Sequence, residues 1–119
     1  PQVGCDSAVL VSSGVNQTVI HGGSLVYNHT IRNDGNCLDG YFINLQSSSA
    51  GSYVKPAFLW LDPGESGEIA VYVTVNGLLG DVTSVTVGSS IDETIAQERT
   101  NQTSVTLSRQ FLPLIRRDE

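Results

Sequence analysis

The chain has no methionine, one tryptophan, two histidines, two cysteines and six basic residues among its 119. Each scarcity narrows the reading. Cys5 and Cys37 have no second cysteine or histidine at chelating spacing, so their pattern fits no metal motif. Six basic against twelve acidic residues give a net charge of −6, the opposite of the basic footprint that a nucleic-acid binder presents. No apolar run reaches the roughly 18 residues of a membrane-spanning helix. Few segments carry helical spacing, so a helical domain is not expected. A histidine-based hydrolase needs a nucleophile and an orienting acid beside its base. His21 and His29 have Ser24 and Asp34 near them in the sequence, but no spacing unites the four. The expectations are therefore no enzyme, no cofactor, no nucleic acid and no membrane span.

What is abundant is Val, Thr, Ser and Gly, a mixture of strand formers and turn formers. At this length one domain suffices to bury a core. No secretory leader is visible, and a start at Pro1 is that expected of an excised module or a processed chain. The organising stretch is Ser24 to Leu45. Leu25, Tyr27, His29 and Ile31 occupy alternate positions, and Tyr41, Ile43 and Leu45 resume the alternation. A period of two marks strands with one buried face. Asn33-Asp34-Gly35-Asn36 joins them, four residues that tolerate or need positive φ.

Around this pair the chain reads as short strands and turns. Ala8 to Ser12 is a first strand, broken at Ser13 to Asn16 and continued by Thr18 to Ile20, a split suited to a strand that changes sheets. Val54 to Leu61 is extended, with Pro56 marking an edge or irregularity. Asp62-Pro63-Gly64-Glu65 suits a type II turn. Ile69, Val71, Val73 and Val75 form the clearest alternation. Val82 to Ser90 and Gln102 to Ser108 are two more strands, with Val85, Val87, Val105 and Leu107 inward. Ile91 to Asn101 between them reads as a long polar loop, with one helical turn allowed by Glu93, Ala96 and Gln97.

About seven strands of this kind predict an all-β, immunoglobulin-like two-sheet sandwich over residues 1–108. The first strand then runs antiparallel to the second, which brings Cys5 to the turn that holds Cys37. A disulfide there closes a loop of about 30 residues and implies an oxidising compartment; two unpaired buried thiols are the alternative. Residues 109–119 differ in character: Phe111, Leu112, Leu114 and Ile115 are apolar, and Arg116-Arg117 follow. This tail reads as an edge strand, an anchoring or export element, or a frayed end.

Tyr27, His29, Asn33, Gly35, Asn36 and Asp39, then Leu61, Pro63, Gly64, Glu65 and Ser66, then Val71 to Val75 and Thr86 to Ser90, occur in the order of a known pattern. Over residues 8 to 107 the chain resembles immunoglobulin-like modules repeated in bacterial and archaeal secreted proteins. These include the NEW-type domain associated with α-galactosidases, CARDB-like adhesion modules and conserved surface-protein repeats. Gly22-Gly23 replaces the usual Pro-Gly, and the two cysteines are outside the common pattern. The resemblance implies an extracellular or cell-surface accessory module, a spacer, adhesive or substrate-proximity unit, with no catalytic residue to carry over. Its partner would be a protein or a polysaccharide at the cell surface.

Three candidate sites remain. His29 shares a strand face with Tyr27 and Ile31, where a satisfied core histidine is the ordinary outcome. Asp6, Asp34, Asp39, Asp92, Glu93 and Glu98 gather toward one predicted end, but no Asp-x-Asp-x-Asp string appears, so no metal is assigned and an acidic rim is expected. Trp60, Phe58 and Tyr53 are the candidate ligand-binding residues. If Leu59 and Leu61 face the core, Phe58 and Trp60 face out, and an exposed aromatic platform would suit a sugar or a protein partner. Covering the core beside Pro56 is the competing role for these rings. An unpaired edge strand near Pro56, or the tail, could also pair with another chain.

Overall fold

The structure, a computed structural model, describes residues 4–20, 22–48, 51–75 and 80–106. Among the described residues nine strands form two sheets that face each other: β1 (Val9–Val11), β2 (Asn16–Ile20), β3 (Ser24–Asn33), β4 (Asp39–Ser47), β5 (Tyr53–Lys55), β6 (Phe58–Leu61), β7 (Ser66–Thr74), β8 (Asp81–Ser89) and β9 (Ala96–Thr106). One sheet runs β1-β3-β7-β5 and the other β2-β9-β8-β4-β6. Every pairing is antiparallel except β2 with β9. The alternating positions meet between the sheets. Tyr27, Ile31, Tyr41, Ile43, Ile69, Val71, Val73, Val75, Val85 and Val87 are all buried there. Val105 is half-buried against that core, and Leu107 lies outside the described residues.

The count exceeds seven because two extended segments each divide between the sheets. The first does so at Ser12 to Val15, as its split predicted. The second does so at Pro56, whose peptide bond to Lys55 is cis: β5 joins β7 in one sheet and β6 joins β4 in the other.

The expected long polar loop at 91–101 is instead mostly strand, for β9 starts at Ala96 and no helical turn forms. Its inward side chains are polar, which hides the period of two. Each has a partner. Gln97 Oε1 accepts from Val11 N (3.2 Å), and Arg99 Nε donates to Val11 O (3.1 Å), so the two side chains occupy the open edge of β1.

Asn101 Nδ2 donates to His29 Nε2 (2.9 Å) from the opposite sheet, and its Oδ1 accepts from Val15 N (3.0 Å). His29 Nδ1 faces Ser12 O at 3.2 Å, so the network assigns the ring proton to Nδ1. His29 and Asn101 are 1% and 0% exposed. Tyr27 adds a second link between the sheets, donating to Gln102 O (2.9 Å) beside Thr103 Oγ1 (2.7 Å).

The Asn33 to Asn36 turn does not use positive φ. Among the described residues only Gly22 and Gly64 do, at +82° each. Side chains shape the turn instead: Asn33 Oδ1 accepts from Gly35 N (2.8 Å), and Asn36 Oδ1 accepts from Asp6 N (2.7 Å). The turn at Asp62 to Glu65 is as predicted, with Gly64 in the left-handed region and Glu65 N donating to Asp62 O at 2.9 Å. Cys5 and Cys37 are disulfide-bonded, with Cα atoms 5.6 Å apart.

Two outcomes follow from these links. Asn101→Ala strands a buried histidine acceptor and the Val15 N–H, and lowers stability by about 2–4 kcal/mol in urea unfolding. The double variant Cys5→Ser/Cys37→Ser reopens a 32-residue separation and loses about 3–4 kcal/mol in the same assay, while the folded-state circular dichroism is retained.

Candidate functional site

Three aromatic rings stand on the outer surface of the five-stranded sheet. The register explains why. β4 and β6 pair with Gly40 opposite Trp60, Tyr41 opposite Leu59 and Phe42 opposite Phe58. Tyr41 and Leu61 are buried and Leu59 packs against the core, so the alternate residues Phe42, Phe58 and Trp60 point outward. Trp60 is 62% exposed and Phe42 52%, while Phe58 is half-buried between them. Phe58 meets Phe42 at a centroid distance of 4.8 Å and Trp60 at 5.2 Å, with interplanar angles of 61° and 79°. Both are edge-to-face contacts, the favoured geometry for aromatic neighbours.

The strip is seated by its surroundings. A Cβ on Gly40 would lie 2.3 Å from Phe58 Cζ, so only glycine lets that ring lie against the strand. Asn33, at the end of β3, sends Nδ2 to Leu61 O (2.8 Å) and to Cys37 O (2.9 Å), fixing the end of β6 against the disulfide loop. Asp39 is buried at the start of β4. It accepts from Ser89 Oγ (2.5 Å), Ser90 Oγ (3.0 Å) and Ser90 N (3.2 Å), joining β4 to the end of β8.

The aromatic platform expected from Trp60, Phe58 and Tyr53 is only partly assembled. Trp60 and Phe58 are together. Tyr53 lies on the other sheet, stacked on Tyr72 at 4.8 Å, because Pro56 separates β5 from β6. Phe42 takes the third place. Its outward direction was readable from the alternation with Tyr41 and Ile43, but its pairing with Phe58 was not.

The other candidate groups are engaged in holding the fold. His29 joins the sheets as described, and His21 lies outside the described residues. Asp34 pairs with Arg32, whose side chain holds its carboxyl below the usual carboxylate range. Asp92 is likewise lowered by accepting from Thr94 Oγ1 and N. The Tyr41 hydroxyl is pushed up to about 12, chiefly by burial and then by Asp39 and Asp34, so it stays protonated at neutral pH. Among the described residues no three His, Cys, Asp or Glu side chains are grouped to hold a metal ion. A separate groove of about 240 Å³ runs between Ser7–Val9 and Thr94–Gln97. The 109–119 tail lies outside the described residues.

No protein-family model and no curated protein matches the chain. Solved structures do. A PapD-like (ASH) domain of human CEP192 superposes with a TM-score of 0.71 at 8% identity, over 85% of this chain and 87% of that one. The E. coli chaperone DraB gives 0.62 at 13% identity, over 83% of this chain and 55% of that one. The secreted serine protease VesC from Vibrio cholerae gives 0.58 at 18% identity, over 82% of this chain but 23% of the protease. The shared property is the immunoglobulin-like β-sandwich fold.

The seat of Phe58 is directly testable. Gly40→Ala forces the ring off the strand, costs about 1–3 kcal/mol by overpacking, and shifts the emission of Trp60. Unchanged emission together with unchanged stability would place the ring elsewhere.

Proposed function

We propose that the chain is a non-catalytic accessory domain of an extracellular or cell-surface protein, a spacer or adhesive unit that docks through Phe42, Phe58 and Trp60. The observation that carries this reading is Trp60: a large ring, 62% exposed, held on a β-strand rather than a loop. Three clustered rings on a surface form an apolar patch of the kind that marks an interaction site. The Cys5–Cys37 bond supports an oxidising compartment. The polar groups that could have carried chemistry, His29 and Asp39, are used to join strands. The resemblance to bacterial surface-protein modules favours the same accessory role, and the chaperone-like sandwiches favour protein binding.

A polysaccharide is the second reading, favoured by the open face of Trp60, on which the C–H face of a sugar can pack. The edge-to-face setting of Phe58 against both neighbours leaves no flat three-ring platform, so a sugar would be held mainly by Trp60. An export or anchoring role for residues 109–119 rests on their apolar and arginine-rich sequence.

Affinity electrophoresis through gels holding a panel of polysaccharides separates the first two readings. Retardation lost in Trp60→Ala establishes sugar binding at this ring. Wild-type mobility unchanged by every polymer favours docking on a protein. Retardation that survives Trp60→Ala removes the strip from the sugar-binding account.

A further inference from the structure

Each sheet has two edge strands, and their edges are unlike. On β1, the Val11 N–H and C=O are taken by Gln97 and Arg99. β5 is three residues long and ends in Lys55 followed by Pro56. β2 opens with the polar Asn16, Gln17 and Thr18. Charges, proline and short length are the usual means of blunting an edge. β2 (Asn16–Ile20) and β6 (Phe58–Leu61) carry neither charge nor proline within them, and of these two only β6, Phe58-Leu59-Trp60-Leu61, is wholly apolar and aromatic.

The register shows which backbone groups of β6 are open. Ile43 N donates to Ala57 O at 2.9 Å, so Ala57, Leu59 and Leu61 turn their N–H and C=O groups toward β4. The N–H and C=O of Phe58 and Trp60 therefore face away from the sheet. They have no partner among the described residues. The strand thus offers two donors and two acceptors in its plane, and two aromatic rings on one face.

We propose that β6 pairs with β6 of a second copy of this chain, antiparallel about a two-fold axis at Leu59. The sequence is symmetrical about that point, aromatic-Leu-aromatic, which is the self-complementarity that a two-fold interface requires. With Phe58 opposite Trp60 of the second copy, and Trp60 opposite its Phe58, all four open donors and acceptors are used. The same register sets two aromatic cross-strand pairs on the outer face, a pairing that stabilises adjacent strands. The two five-stranded sheets become one continuous sheet. Pro56 and the Asp62 to Glu65 turn lead the chain away at both ends, so the contact is short and the dimer is weak. Each copy carries a net charge of −6, whereas β6 itself is uncharged, so added salt screens the repulsion and favours pairing. The inference rests on the strand's edge and stands apart from what the ring faces bind.

Sedimentation velocity of the full chain, from about 10 µM to about 1 mM at low and high salt, tests it. The expected mass rises from 12.7 kDa toward twice that value with concentration, and more steeply in high salt. Trp60→Lys and Phe58→Lys, each replacing a paired ring on the outer face with a charge, stay monomeric. Trp60→Phe keeps the aromatic pair and still dimerises, as does Tyr53→Lys on the other sheet. A wild-type chain that is monomeric throughout overturns the proposal. So does a dimer that survives in both lysine variants. Neither result depends on whether any polysaccharide is bound.

Discussion

The buried contact between His29 and Asn101 is the constraint on which the remainder of the sandwich depends. One ring joins three pieces of chain: its own strand, the crossover at Ser12, and β9 in the opposite sheet. Asn101 extends the link to Val15, so both ends of the crossover are held from the interior. Both residues are shut off from water, and a buried polar group without its partner costs about 1–3 kcal/mol. The network is satisfied only in one relative placement of the sheets. Apolar packing between valines is less selective, since it tolerates sliding of similar side chains. The hydrogen bonds therefore set the sheet-to-sheet register, while the valines and the two buried tyrosines supply the bulk of the burial.

A second set of buried polar groups performs the same task at the other end of the domain. Asn33 ties the disulfide loop to the last carbonyl of β6, and Asp39 ties the start of β4 to the end of β8. Together they hold β6 in place although it is only four residues long. A short edge strand has few ladder bonds of its own, so these side chains and the Gly40 seat for Phe58 determine where the aromatic strip sits. The strip is thus a product of interior hydrogen bonding, even though its rings are on the surface.

This division of labour bears on function. The polar residues most suggestive of chemistry in the sequence are those most fully engaged in structure. Among the described residues, the outer surface carries an aromatic strip and an open strand edge beside the exposed polar side chains. The immunoglobulin-like sandwich shared with PapD-type domains is a scaffold on which such surfaces vary freely, because outward side chains alternate with the core and can change without disturbing it.

The sequence by itself determined the all-β class, the buried faces of β3, β4, β7 and β8 and the type II turn at Gly64, and it brought Cys5 close to Cys37 while leaving open whether the two are bonded. A period of two and turn chemistry act over a few residues, and an antiparallel pair places its ends together. Only the tertiary structure decided the rest. β9 was illegible from Ala96 to Asn101 because its inward side chains are polar, and their partners lie 72 to 88 residues away. Tyr53 was parted from Trp60 because Pro56 sends the two halves of one extended segment to different sheets. Phe42 joined Phe58 because strand register, set by interior contacts, placed them opposite each other. Local pattern fixes which way a side chain points within its strand; which residue it meets depends on the chain that arrives beside it.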